Sequence, residues 1–233
     1  MRFFLLTLGM MIFVIPGAVR AQQNSVVLEL YTSQGCSSCP PADALLPKLA
    51  DMPGVIALSL HVDYWDYLGW RDSFGDVQYT KRQKAYAHAL QHRPLFTPQM
   101  VVQGQDILVG HKEGKIMQAV DQFRSLPSPV NLKVERKAGG LSIQATGRGI
   151  SIDAPLDVQL VRFLEAAEVA IDGGENAGRT MTYTNIVTDW ETIAHWDGVE
   201  PLSLDVAADS DEPVAVIIQR AGTGPVVTAA ELR

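Results

Sequence analysis

Cysteine is the scarcest informative residue in this chain. There are two among 233 residues, and they stand three apart, as Cys36-Ser37-Ser38-Cys39. A framework of structural disulfides needs more cysteines, spaced to close long loops. A bridge across so short a loop removes little entropy from the unfolded chain. The pair is poorly placed as a staple and well placed for chemistry. Positive charge is also short, with 19 Lys and Arg against 26 Asp and Glu. With no basic stripe, the chain is no candidate for binding nucleic acid. No nucleophile-elbow motif supports Ser-His-Asp hydrolysis. The glycine-rich Gly173 to Gly178 does not lead from a strand into a helix, so it is read as a hairpin connection rather than a phosphate loop. His88, His92, His111 and His195 share no spacing that suggests a metal site. There is no internal repeat and no low-complexity tract.

What is present begins with an address. Met1-Arg2 supplies a positive charge, Phe3 to Val14 is almost wholly apolar, and Pro16-Gly17 breaks the run. Val19-Arg20-Ala21 offers small residues at the spacing a signal peptidase reads. Residues 1–21 are therefore expected to be a signal peptide cleaved after Ala21, and the mature protein to be periplasmic or secreted. The alternative, an uncleaved anchor, needs roughly 20 apolar residues, and this run falls short. No later segment is long and apolar enough to span a membrane.

Beyond the leader, the hydrophobic pattern predicts strand–helix–strand–helix–strand–strand–helix. Val26 to Tyr31 and Val55 to Val62 are short apolar strands. Asp43 to Asp51 and Gln78 to Gln91 have helical spacing, Gln99 to Gln103 and Asp106 to Val109 are paired strands, and Lys115 to Phe123 closes as a helix. The pattern then changes. Residues 126–129 have linker composition. After them, seven strand-like runs recur without long helices: Val130 to Arg136, Leu141 to Ala145, Leu156 to Leu164, Met181 to Val187, Leu202 to Val206, Val214 to Arg220 and Val226 to Ala229. The reading is an α/β domain over 22–125 and a smaller all-β, sandwich-like domain over 130–233.

A strand, a short turn and then C-x-x-C opening a helix is an arrangement for redox-active thiols. The thiolate is the attacking species, and a helix N-terminus stabilises its charge. Cys36 is expected to be the more exposed and to attack; Cys39 resolves the mixed disulfide. The competing readings are an inert bridge and half of a zinc site, the latter lacking a second cysteine pair.

Val26 to Cys39, together with Phe96-Thr97-Pro98-Gln99-Met100-Val101-Val102-Gln103-Gly104, resembles the thioredoxin superfamily, whose defining pieces are C-x-x-C after the first strand and a cis proline before a later one. The resemblance implies a mixed central sheet flanked by helices, with Pro98 against the cysteines and the backbone of Thr97 free to pair with an extended substrate. It also implies a buried acid for proton transfer, a role that falls to Glu29; the alternative is that Glu29 faces away from the cysteines as a solvated or paired strand residue. More closely, Leu30 to Asp43, His61 to Asp66 and Gly174 to Thr180 look like an uncharacterised family of secreted bacterial thioredoxin-like proteins. Two features depart from the usual pattern. Pro40 and Pro41 follow Cys39 directly, which is expected to delay the helix start, and the turn before Cys36 is one residue longer than usual.

The leading expectation is a thiol–disulfide oxidoreductase acting on exported protein thiols and disulfides, with an electron-transfer partner if it runs as a reductase. Cys36, Cys39, Thr97, Pro98 and Glu29 would form its site, with no cofactor. One alternative is a copper-binding or metal-delivery protein using Cys36, Cys39 and His61, since two thiolates and an imidazole suit copper. Another is a non-catalytic adaptor working through its β domain. The aromatics Tyr64, Trp65, Tyr67 and Trp70 either cover the cysteine pair or form a satellite core.

Overall fold

The computed structural model describes residues 25–148, 155–207 and 212–233. The expected signal peptide and its cleavage point lie outside the described residues. The first half runs β1 (Val26–Thr32), α1 (Pro40–Ala50), β2 (Val55–His61), α2 (Val77–Ala89), β3 (Gln99–Val102), β4 (Asp106–Val109) and α3 (Glu113–Arg124). β1 and β2 are parallel, while β3 is antiparallel to β1 and β4 to β3. Both β1 and β2 are buried at every position, which is why they read as apolar runs rather than alternating ones. Leu28 and Leu30 on one face of β1 pack with Leu46 and Leu49 of α1 and Ile116 and Val120 of α3. Val27 and Tyr31 on the other face join Tyr79 and Tyr86 of α2.

The prolines after Cys39 do not delay α1. Pro40 and Pro41 are its first residues, and Cys39 is the N-cap, itself at φ −80°, ψ −33°. The expected later start gave too much weight to the restriction that a proline places on its predecessor. Proline in a first helical turn forfeits no hydrogen bond, since those N–H groups have no helical partner. The N–H groups of Ala42 and Asp43 both donate to the Cys39 carbonyl, at 2.8 and 3.1 Å.

After residue 129 come β5 (Val130–Lys137), β6 (Gly140–Gly147), β7 (Leu156–Ile171), β8 (Arg179–Trp196), β9 (Leu202–Ala207), β10 (Val214–Arg220) and β11 (Val226–Leu232). β7 and β8 form a hairpin far longer than the apolar runs within them, 16 and 18 residues. β5, β6 and β9 make a three-stranded sheet that packs Leu132 and Ile143 onto Val158, Leu160, Val216 and Ile218.

The sequence reading separates 22–125 from 130–233, but the structure joins the two halves. β8 pairs parallel with β2 through Ser59 and Ile186, giving one eight-stranded sheet in the order β11-β10-β7-β8-β2-β1-β3-β4. β10 is buried on both faces: Ala215 and Ile217 enter the core shared with α2, while Val214, Val216 and Ile218 enter the sandwich core. A continuous apolar run says that both faces are covered without saying by what. At the far side, Val226 N–H donates to the Gln103 carbonyl and Gln103 Nε2 to the Val226 carbonyl. This approach needs Gly104 (φ +66°), where a Cβ would stand 2.6 Å from the Gly224 carbonyl. Among the described residues no helix is long and apolar enough to cross a membrane.

Candidate functional site

The turn from β1 to α1 carries Cys36 and Cys39, which are joined in a disulfide. Both are buried, at 1% and 0% exposure. Cys36 is thus not the exposed thiol expected of an attacking cysteine, and the solvent-facing part of the motif is Ser37-Ser38. The longer turn is pinned from beneath. Gln34 N–H donates to Asp72 Oδ2 at 2.8 Å and Gly35 N–H to Ser33 Oγ at 3.1 Å.

Thr97 and Pro98 stand against the pair. The Thr97–Pro98 bond is cis, and Thr97 Oγ1 donates to Cys36 Sγ at 3.2 Å while accepting Trp65 Nε1 at 2.8 Å. The Thr97 backbone is not wholly free for a substrate strand, because its carbonyl accepts Ser38 Oγ at 3.2 Å. The aromatic segment divides between the two roles offered for it. Trp65 reaches the cysteine through Thr97, and Trp70 Nε1 donates to Gln34 Oε1 at 2.8 Å. Tyr64 packs against the core and Tyr67 is exposed.

Glu29 is not brought to the cysteines. Its carboxylate is held on the α2 side of β1 by Arg82 Nε and Nη2, at 2.7 and 2.8 Å, and by the hydroxyls of Tyr31 and Tyr86, at 2.8 and 2.6 Å. On the α1 face of β1 lies a buried acid, Asp43, four residues after Cys39 in α1. Thr32 Oγ1 donates to Asp43 Oδ1 at 2.7 Å, and Asp43 Oδ2 is buried without a partner. Burial pushes the Asp43 carboxyl up to about 7, against the opposing effects of Thr32 and His61.

His61 lies at the end of β2, fully buried, with Nδ1 2.8 Å from Asp72 Oδ2 and Nε2 unpartnered. Its ring packs edge-on against Phe74 and Tyr183. Burial alone would raise Asp72, but His61 and the N–H groups of Gln34 and Phe74 hold it below the usual carboxylate range. The structure does not gather His61 with the two cysteines as a ligand set. Among the described residues no group of three or more His, Cys, Asp or Glu side chains is placed to hold a metal ion.

Two further residues of this site come from the other half of the chain. Asn176, in the short 3-10 turn between β7 and β8, donates through Nδ2 to the carbonyls of Gln34 and Cys36, both at 2.9 Å. Its neighbour Glu175 accepts the Ser37 N–H at 3.2 Å. The sequence reading took this segment as a hairpin connection, and it is one, but the tip reaches the cysteine turn. No local pattern marks a residue that acts 140 positions away.

The family model described as "Protein of unknown function (DUF1223)" matches residues 27–219, and the chain belongs to that family. A crystal structure of a protein from Agrobacterium tumefaciens is 31% identical, with a TM-score of 0.78, over 91% of this chain and 96% of that one. HBP35 of Porphyromonas gingivalis shares the fold at 17% identity and a TM-score of 0.62, over 90% of this chain and 75% of that one. No curated protein matches the chain.

Proposed function

We propose that this member of a family of unknown function is an exported thiol–disulfide oxidoreductase, built on a thioredoxin-like half and exchanging disulfides with protein substrates through Cys36 and Cys39. One observation carries the reading: the chain's two cysteines are bonded to each other at the head of α1, with the Thr97 hydroxyl on Cys36 Sγ. A bridge there closes too short a loop to serve mainly as a staple. The order β1-α1-β2-α2-β3-β4-α3, with Thr97-Pro98 directly ahead of β3 and the Thr97 hydroxyl on Cys36 Sγ, supports the thioredoxin-like reading of this half. Export rests on the leader read in residues 1–21.

In the reducing direction, the Cys36 thiolate attacks one sulfur of a substrate disulfide, and the other sulfur leaves as a thiolate. The Cys39 thiol gives its proton to the Asp43 carboxylate and attacks Cys36 Sγ. The second substrate sulfur leaves, and the Cys36–Cys39 bond forms with two electrons passed to the substrate. Oxidation is the same sequence reversed. Sustained reduction requires a dithiol partner that returns two electrons. Asp43 takes the role first given to Glu29, because it is buried on the α1 face of β1 with an oxygen to spare. The burial of Cys36 sets a condition, since its Sγ must become accessible before a partner sulfur can reach it.

The test is the reduction potential of the pair in glutathione buffers, alongside catalysed reduction of insulin. A potential between about −120 and −270 mV places the pair among working exchange catalysts. Catalysis is expected to vanish in Cys36→Ser. A potential below about −300 mV with no catalysis identifies an inert bridge and overturns the proposal.

A further inference from the structure

The tip of the β7–β8 hairpin touches the redox turn at three hydrogen bonds, all from Glu175 and Asn176. The contact is built in. Asn176 is 1% exposed, so both amide hydrogens are committed inside the protein, to the backbone carbonyls of Gln34 in the turn and of Cys36 itself. The glycines beside it permit the approach: a Cβ on Gly173 would stand 2.7 Å from the Gly69 carbonyl, and one on Gly174 3.2 Å from Trp70 Cβ. The tip is wedged between the cysteine turn and the aromatic segment. It sets the carboxylate of Glu175 on the Ser37 N–H, one residue from Cys36. Reduction of the bond creates a thiol that ionises beside that carboxylate, whereas the disulfide carries no charge. The negative side chain therefore discriminates between the two redox states, and it also occupies an N–H of the turn next to Cys36 that otherwise lies free to support a thiolate.

We infer that Glu175 and Asn176 are positioning residues of the redox pair, Asn176 docking the hairpin tip on the Cys36 turn and Glu175 biasing the pair toward the disulfide. The C-terminal half is then a working part of the redox site rather than a separate adaptor. The inference rests on the exchange reading for its use, but not for its measurement. Two glutathione thiols reduce the bond, giving the Cys36 and Cys39 thiols and one glutathione disulfide, with two electrons and two protons transferred. That equilibrium is readable whether or not the protein turns over a substrate.

The full chain and its Glu175→Gln, Asn176→Ala and doubly substituted variants are equilibrated in glutathione buffers at pH 7, with the pH dependence of Cys36 alkylation followed in the reduced proteins. Glu175 is exposed, so the charge effect is screened. Glu175→Gln is expected to favour the reduced form about threefold at low ionic strength, with the gap closing in 1 M salt. Alkylation of Cys36 should move to lower pH. Asn176→Ala releases the tip and should shift the equilibrium in the same direction. Because both act through one contact, the double variant should shift no further than the larger single one. A Glu175→Lys variant, expected to shift the equilibrium by about tenfold, or about 30 mV for a two-electron couple, keeps the test open if Asn176→Ala does not fold. An unchanged equilibrium and alkylation profile in folded Glu175→Gln and Glu175→Lys overturns the inference, as does a shift that salt leaves intact. Absence of insulin reduction by a wild-type protein whose equilibrium still responds to Glu175 overturns the exchange reading alone.

Discussion

Two buried polar clusters lie on opposite faces of β1, and they differ in how fully the hydrogen bonds of their ionisable groups are met. On the α2 face, Glu29 takes two bonds from Arg82 and one each from Tyr31 and Tyr86. Arg82 also reaches the hydroxyl of Tyr86 and Oε1 of Gln219, and its guanidinium lies 3.8 Å from the Trp190 ring. Burial would lower Arg82, but Glu29 beside it outweighs that and raises it. On the α1 face, Asp43 Oδ2, His61 Nε2 and Ser59 Oγ have no partner. Low dielectric strengthens a satisfied network and penalises an incomplete one. The first cluster is cement between α2, β1 and β10. The second keeps protonatable atoms unpartnered where that is costly, which fits the exchange role proposed above.

The largest way to break the comparison is Arg82→Met. It strands the Glu29 carboxylate in the core, and the loss in urea unfolding is expected to be up to about 5 kcal/mol. Replacing both partners, Arg82→Met with Glu29→Gln, should recover much of that, since an uncharged side chain no longer needs its counter-ion. The glutathione equilibrium of the molecules that remain folded should not move. A changed equilibrium would return Glu29 to the redox site and remove the contrast.

Asp43→Asn tests the other cluster, with an effect that depends on pH. Asp43 is raised from its ordinary 3.8 to about 7 by burial, so the folded state binds a proton that the unfolded state has released between those values. The associated stability is fully present below pH about 4 and is lost as pH rises toward 7. The loss is about 4 kcal/mol over three pH units at about 1.4 per unit. Tyr183 on β8, His61 on β2, Thr32 on β1 and Asp72 all face this carboxyl. The asparagine variant should therefore gain stability relative to wild type as pH rises, read by unfolding at pH 4, 5.5 and 7. It should also slow resolution by Cys39. A flat difference across this range would mean that Asp43 titrates normally and stores no proton.

The strands and helices were legible because burial of both sheet faces leaves continuous apolar runs, and α1 and α2 keep their periodicity. The cysteine motif and Thr97-Pro98 were legible for the same local reason, each being a short segment with its own chemistry. The orientation of Glu29 stayed open because alternation along β1 separates it from Leu28 and Leu30 without telling which face α1 covers; of the two alternatives, the structure shows the paired strand residue facing away from the cysteines. Asp43 carried a readable signal, an acid four residues past Cys39 on the face that buries Ala42 and Leu46. Asp72 had none, and Glu175 and Asn176 stood out only as part of a segment shared with the family, with nothing to tie it to the cysteines. They reach the site through the aromatic segment and through a hairpin from the other half, and only the pairing of β8 with β2 brings that hairpin there.

Asp72→Asn gives the smallest effect and the sharpest sign. The Asp72 carboxylate accepts His61 Nδ1, Gln34 N–H and Phe74 N–H, and these outweigh burial to lower its proton affinity. A lowered folded value means that the stability it confers is present above the unfolded value near 4 and is lost as pH falls through the folded one. The variant's one oxygen can serve only one of the Gln34 and Phe74 N–H groups, which bond different oxygens of Asp72, and the variant also loses the charge facing the imidazole. It should be about 2 kcal/mol less stable than wild type at pH 7, in line with charged hydrogen bonds. The deficit should shrink on acidification. Two carboxylates of one cluster are thus expected to give opposite trends: removing the charge of Asp43 helps most at pH 7, and removing that of Asp72 hurts most there. Should both variants show the same trend, the cluster holds a single shared charge rather than a proton site at Asp43 backed by an ionised Asp72, and resolution by Cys39 would have to draw its proton acceptor from solvent.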